Sequence, residues 1–381
     1  MGPNPLIGVV FHWIGGLASA SNFIPFRPIK RWSWEIYWLI QGFAAWIVAP
    51  LFLAWLLVPG LAAILHAAPA TSFWHAMFWG VMWGVGGLTF GLSIRYLGIA
   101  LGYAIALGFC TAFGTLMPPI FSGQLGTIAH QGGGRIILLG VAVCMAAIGV
   151  NGLAGYSKEK EMGRANSSAI GERDYSFSKG LAVAVFAGIM SSCFAYGLTA
   201  GKPIGALTRV HLAAHGRADL WQNLPVLVVV LWGGFLTNFI WSAILIVRNQ
   251  SFSQFLGAAA TNPAERFLGA ADTLAATENG VKDRIQPAVL ARNYALASLA
   301  GVIWYLQFFF YSMGQTRMGR YDFSSWTLHM ASIIIFATLW GIVLHEWKGT
   351  SIRTRMLVSC GLFLLVSSTL IVGYGNYLAA R

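Results

Sequence analysis

Two histidines, His12 and His329, stand inside long apolar runs of this 381-residue chain. An imidazole changes charge near neutral pH, so one held in a membrane is suited to carrying a coupling proton. The plain alternative is a neutral ring hydrogen-bonded to a neighbouring helix. Asp322 precedes His329 by seven residues, which puts the two on one helical face if the helix starts early. Glu35 and Glu346 sit at the ends of apolar runs among tryptophans: Trp32, Trp34 and Trp38 for the first, Trp340 and Trp347 for the second. Anchoring at the lipid–water boundary is the ordinary role for such groups, and a gate or proton exit the sharper one. Trp304, Gln307 and Tyr311 fall at i, i+3 and i+7, so they align on one side of a helix. An indole face can stack on the C–H side of a sugar ring, and an amide and a phenol can bond its hydroxyls. Trp83, with Trp79 one turn away, offers a matching platform elsewhere in the chain. Aromatic packing between helices is the competing use of all these rings.

Other chemistries lack their parts. The apolar runs contain no Asp or Glu, so there is no acidic cluster for a metal and a diphosphate. There is no G-x-x-x-x-G-K-[ST] loop for ATP and no Arg-rich span for voltage sensing. His211 and His215 are spaced as a zinc pair, but Leu212, Ala213 and Ala214 lie between them, without the glutamate of H-E-x-x-H or a third ligand. They read as part of a wet loop or interfacial helix. Cys110, Cys144, Cys193 and Cys360 lie in apolar runs with no C-x-x-C pair and read as small buried residues. No metal and no cofactor is expected; an intramembrane enzyme built on a histidine would need a nucleophile, metal or cofactor beside it, and none is visible.

The elements that must position these residues follow from composition. The chain is 57% hydrophobic and only 9% charged, which excludes an ordinary soluble enzyme, a nucleic-acid-binding module and a disordered chain. Ten apolar runs are long enough to cross a bilayer as helices: 6–24, 36–58, 73–94, 97–117, 136–155, 181–200, 223–247, 293–313, 325–344 and 356–378. All 36 charged residues fall outside these runs, as the cost of a charge in hydrocarbon demands. Ala18-Ser19-Ala20 has the small-x-small form of a cleavage site. The basic cluster Arg27, Lys30 and Arg31 follows the first run instead of preceding it, so that run is read as a membrane helix.

Ten crossings put both termini on one side. The loops opposite them (25–35, 95–96, 156–180, 248–292 and 345–355) carry three, one, five, five and three Lys+Arg, seventeen of the 24 in the chain. The positive-inside rule assigns that side to the cytoplasm and the termini to the outside. The net charge of +12 is thus a record of topology and points to no nucleic acid. The sequons at Asn166 and Asn249 fall in cytoplasmic loops and are discounted. Loop 248–292, rich in Ala, Asn and Thr, is long enough to carry a surface helix.

A repeat is also visible. Gly80-Val81-Met82-Trp83 is followed after fourteen residues by Gly98, and Gly301-Val302-Ile303-Trp304 after fourteen by Gly319, a constant offset of 221. The third and eighth spans are an odd number apart and cross in opposite directions. The expected architecture is all-α, with ten transmembrane helices in two inverted five-helix repeats, a common transporter plan with the substrate at the interface. The halves are 1–155 and 181–381, joined by a cytoplasmic linker at 156–180.

The chain resembles the L-rhamnose–proton symporters, a branch of the drug/metabolite transporter superfamily. The resemblance runs nearly end to end. Its carriers are Trp32-Ser33-Trp34-Glu35, Met82-Trp83-Gly84 with Arg95-Tyr96-Leu97-Gly98, and Gly114-Thr115-Leu116-Met117. The densest stretches are Trp304-Tyr305-Leu306-Gln307-Phe308-Phe309-Phe310-Tyr311, Tyr321-Asp322-Phe323, Leu328-His329-Met330 and Glu346-Trp347. The resemblance implies inner-membrane uptake of L-rhamnose or a related deoxyhexose with a proton, by a monomer or weak dimer in the bilayer. A transporter of another sugar or small metabolite is the alternative. Two departures stand out: Gly86-Gly87-Leu88-Thr89-Phe90 lacks the asparagines expected in the third helix, and loop 248–292 is longer than usual. On this reading Trp83, Trp304, Gln307 and Tyr311 touch the sugar, and His329 with Asp322, Glu35, His12 and Glu346 handle the proton. The superfamily often keeps its termini in the cytoplasm; the charge count here places them outside.

Overall fold

A computed structural model describes residues 4–97, 99–165, 177–260 and 284–381. Ten helices in it are long and apolar enough to cross a membrane. They are α1 (Pro5–Ser21), α2 (Trp34–Leu57), α3 (Ala70–Leu97), α4 (Ile99–Phe121) and α5 (Gly132–Ala165), then α6 (Phe177–Ala200), α7 (Leu224–Arg248), α8 (Pro287–Arg317), α9 (Ser325–Val343) and α10 (Ile352–Ala380). They coincide with the ten apolar runs, because hydrocarbon forces every backbone polar group to be satisfied within a helix. Where charge begins, the helices continue into the aqueous layer: α5 runs ten residues past the apolar stretch that ended at 155. The expected linker beyond it, with Asn166, and the middle of loop 248–292, where a surface helix was expected, lie outside the described residues, as does Gly98 of the repeat. Among the described residues the only β pairing is a bridge between Ala258 and Arg284.

Local signals set the ends. Asn4 caps α1, its Oδ1 accepting from the Ile7 N–H at 3.3 Å ahead of Pro5, and Ser351 caps α10 in the same way through Thr354 N–H at 3.3 Å. One π-turn, Ala44–Val48, interrupts α2 just before Pro50, which has no N–H to give to an α-helical bond. Leu224 to Leu231 of α7 are all buried, so the first turns of this helix are enclosed on every side.

Four helix pairings recur when each index is advanced by five. α3 lies along α6 as α8 lies along α1; α4 along α6 as α9 along α1; α3 against α7 as α8 against α2; α4 beside α5 as α9 beside α10. Two glycines show the correspondence in detail. Gly80 brings the backbone of α3 against the carbonyl of Val230 on α7, and Gly301 brings α8 against the carbonyl of Gln41 on α2. A methyl group at either would collide with main chain, which explains the glycine in both copies of the Gly-Val-x-Trp step. On the side of the termini, short helices at Leu61–Ala67, Leu125–His130 and Lys202–Ala214 and 3-10 turns at Asp219–Trp221 and Gly319–Ser324 close the bundle.

Candidate functional site

The Gly80 and Gly301 contacts deliver the tryptophans that follow them to one place. Trp83 and Trp304 stack with 5.7 Å between centroids and 27° between planes. Trp46, from the π-turn of α2, meets both edge-on, at 6.1 Å and 5.3 Å. Phe308 closes the group at 5.7 Å from Trp83 and 5.0 Å from Trp304. The two platforms expected from the sequence are thus brought together, each covering the other. Trp79 turns away, onto Tyr196 of α6 at 5.2 Å.

One and two turns further along α8 the character changes. Gln307 and Tyr311 are buried, and Tyr311 is flanked by His12 of α1 at 5.3 Å and His329 of α9 at 5.1 Å, ring centre to ring centre. Both histidines are 0% exposed. Gly314, one turn on, has no side chain where the His12 ring lies. Phe308 and Trp326 each stand 6.1 Å from His329. All four imidazole nitrogens and the Gln307 amide nitrogen have no hydrogen-bond partner among the described residues. Buried polar atoms without partners call for a reason, and four of these belong to the two rings that flank Tyr311.

Asp322 is elsewhere. The helix does not start early: Tyr321 has non-helical angles, and α9 begins at Ser325 after the 3-10 turn. The seven-residue spacing therefore crosses a kink and does not place Asp322 and His329 on one face. Asp322 pairs with Lys202 at 2.9 Å instead. These two line a cavity of ≈ 140 Å³ on the side of the termini, together with Gly114, Pro118, Thr199, Tyr311, Gln315, Arg320 and Trp326 among others. Tyr311 belongs to both the cavity wall and the histidine cluster, so it separates the one from the other.

On the opposite side, Glu35, read from the sequence as a group at the lipid–water boundary, is a buried carboxylate. It lies in the first turn of α2 and is 0% exposed. Its Oε1 accepts from Ser251 Oγ at 2.9 Å and from Asn249 Nδ2 at 3.2 Å, while Oε2 has no partner among the described residues. The cause is the chain after α7, which folds beneath α2: Trp32 Nε1 donates to the Gln254 carbonyl at 3.1 Å, and Ser33 N–H to Gln254 Oε1 at 2.8 Å. Glu346 behaves as an end-of-helix group. Its side chain is half exposed and lies 3.6 Å from Arg27, joining the loops that follow α9 and α1.

Trp46, Trp326 and Lys202 went unnoticed in the sequence because no spacing connects them to the rest; only contacts between helices do. His211 and His215 lie side by side at 4.3 Å on the short helix after α6, and among the described residues no group of three potential ligands gathers there or anywhere else. Cys110, Cys144 and Cys193 are buried as expected, whereas Cys360 is exposed on α10.

Comparison with known proteins decides the lineage. The L-rhamnose-proton symport protein family matches residues 1–265 and 273–378. The chain belongs to that family. Relatives described as L-rhamnose-proton symporters in Salmonella paratyphi B and Salmonella newport are 34% identical over 370 residues, 97% of either chain. One from Salmonella gallinarum is 33% identical over the same length. The short gap in the family match, 266–272, falls in loop 248–292. Membership makes the chain a multi-pass transporter of the inner membrane, and the reading of an intramembrane histidine enzyme is set aside.

Proposed function

We propose that this protein imports L-rhamnose across the inner membrane in symport with a proton. The observation that carries the reading is membership of a rhamnose–proton symporter family over nearly the whole chain. The architecture we infer is two inverted five-helix halves, 1–155 and 181–381, with both termini outside. It is supported by the Gly-Val-x-Trp repeat, the recurrence of helix pairings five apart and the excess of Lys+Arg on the opposite side. Inverted halves let one side open as the other closes around a central site.

In this reading the sugar reaches Tyr311 and Gln307 from the cavity, and the stacked Trp83 and Trp304 bar its further passage until the halves rock. His329 and His12 hold the coupling proton. A neutral imidazole accepts at one nitrogen and donates at the other, so a pair of them beside Tyr311 senses both the proton and the ligand. Glu35, buried at the far end, is the proton's exit, and Glu346 clasps the loops beside it. The working unit is a monomer or weak dimer.

The test is uptake of labelled L-rhamnose into proteoliposomes. Accumulation that requires an inward proton gradient and collapses with a protonophore is the expected result; uptake indifferent to the gradient overturns symport, and absence of uptake overturns the sugar.

A further inference from the structure

The two halves of the molecule share one backbone contact and dress it differently. Gly80 of α3 lies against the carbonyl of Val230 on α7, and Gly301 of α8 lies against the carbonyl of Gln41 on α2. Val230 and Gln41 are therefore counterparts, with the same work done by their main chains. Their side chains differ in kind. Val230 is 0% exposed, and its methyl groups fill the space beside Gly197 of α6. Gln41 is also 0% exposed, yet neither of its amide atoms has a hydrogen-bond partner among the described residues. An amide buried unpaired is unfavourable, and the other half shows that a valine meets the packing need at this contact. Packing alone does not call for glutamine here.

A second amide falls at the same level. Gly8 and Gly15 of α1 lie against the carbonyls of Gly314 and Gln307 on α8, a step of seven residues on both helices. That register carries Asn22, seven residues further along α1, to the level of Ala300, beside Gly301. Asn22 is 0% exposed, and neither of its amide atoms has a partner among the described residues. The aromatic group begins next to Gln41. The Trp46 ring lies over Gly42, and its buried indole N–H is likewise without a partner among the described residues. Trp46 meets Trp83 and Trp304 edge-on at 6.1 Å and 5.3 Å. On α8, Gly301 precedes Trp304 and Tyr311 follows it, so the two amides lie beyond the tryptophans as seen from the cavity that Tyr311 lines. An amide both donates and accepts, which is what the hydroxyls of a sugar require. A few polar groups beside an aromatic wall make up a small-ligand site.

We propose that Gln41, with Asn22, is the inner sugar-binding group of the transport path, taking hydroxyls of the sugar once Trp83 and Trp304 part and the side opposite the termini opens. The inference rests on the sugar-symport reading above and deepens it. In this conformation that side is sealed: Glu35 is buried, and Trp32 and Ser33 are tied to Gln254 of the chain after α7. The two amides are thus enclosed while the cavity on the side of the termini is open, and they meet the sugar when the halves exchange roles.

The experiment compares the wild type with Gln41→Val, which copies the counterpart residue, Gln41→Met, which keeps the length of the side chain, and Asn22→Leu. Melting temperatures are measured in detergent. Uptake of labelled L-rhamnose at equal pH on both sides is then followed against concentration in right-side-out and inverted membrane vesicles. Maleimide labelling of Lys348→Cys, in a background lacking Cys360, identifies the face that each vesicle presents. We expect the variants to melt no lower than the wild type, because each removes a buried amide that has no partner. Offered to the face opposite the termini, rhamnose should half-saturate Gln41→Val and Gln41→Met at about three- to tenfold higher concentration, the loss of one neutral hydrogen bond. Asn22→Leu should shift the same way. Offered to the other face, rhamnose should half-saturate all three near the wild-type value, and the protons moved per sugar should not change. A lower melting temperature in Gln41→Met makes the amide structural and overturns the proposal. Half-saturation unchanged on both faces, or raised equally on both, overturns it too. Loss of accumulation with half-saturation intact overturns it by assigning the amides to the proton path. A wild type that does not transport rhamnose removes the symport reading and this site together, whereas an active wild type with unaffected variants removes the site alone.

Discussion

Trp83 and Trp304, the tryptophans of the two Gly-Val-x-Trp steps, stack upon one another at 5.7 Å with Trp46 edge-on to both. Aromatic pairs of this kind contribute about 0.5–1.5 kcal/mol beyond simple area, a barrier suited to opening and closing. Replacing either ring by alanine leaves the other without its partner. Efflux of rhamnose from preloaded liposomes, in the absence of a proton gradient, should accelerate several-fold in Trp83→Ala and Trp304→Ala. The double variant should leak less than the two single effects combined, because the Trp83–Trp304 contact is already lost in each single. Efflux at the wild-type rate would show that the stack does not bar the path.

The glycine contacts separate packing from mere smallness. Gly80 and Gly301 face main-chain carbonyls of Val230 and Gln41, which cannot move aside, while Gly87, also on α3, has nothing within 4 Å of the position of a side chain. Overpacking costs about 1–3 kcal/mol, and alanine otherwise favours a helix by about 1 kcal/mol over glycine. Gly80→Ala and Gly301→Ala should lower the melting temperature in detergent, and Gly87→Ala should leave it unchanged or raise it slightly. Equal effects at the three positions would refute the close-approach argument.

These contacts also mark what can be read from the chain alone. Span positions were legible because lipid imposes one rule on composition, so that the run 223–247 becomes helix Leu224–Arg248. The meeting of Trp83 and Trp304 was legible as a repeat, though their stacking was not. The partners of Asp322 and Glu35 were not legible at all. Asp322 depends on a kink at Tyr321 and on Lys202, 120 residues away, and Glu35 is buried by Asn249 and Ser251 after α7. Those contacts join segments far apart in sequence, and no local periodicity records them.

For the histidines the decisive comparison is between two modes of transport. His329 is fully buried, with both ring nitrogens unpartnered among the described residues. If it holds the coupling proton, as proposed, removing it abolishes coupling and leaves the proposed sugar contacts standing. His329→Ala should lose gradient-driven accumulation and keep part of its counterflow. If both persist unchanged, the ring is a packing element and the proton is carried elsewhere.

Orientation has its own measurement. Arg217 and Lys348 are exposed, in loops on opposite sides of the bundle. In a variant lacking Cys360, a cysteine at 217 should react with a membrane-impermeant maleimide added to intact spheroplasts, and a cysteine at 348 only after lysis. The reverse pattern would turn the molecule over and place both termini in the cytoplasm, against the distribution of its Lys+Arg.

Glu35 tests structure and coupling in one residue. Its Oε1 takes hydrogen bonds from Ser251 and Asn249 and so ties α2 to the chain after α7. Glutamine keeps an oxygen acceptor of the same size; alanine leaves the buried Ser251 hydroxyl without its acceptor, at a cost of about 1–3 kcal/mol. Thermal melting should therefore fall clearly in Glu35→Ala and little in Glu35→Gln. Transport divides the variants differently, because the amide cannot take up and release a proton. Glu35→Gln should fold, exchange rhamnose in counterflow, and fail to accumulate it against a gradient. A Glu35→Gln protein that accumulates normally would leave Glu35 as a tie between helices, and the proton would leave the histidines by another path.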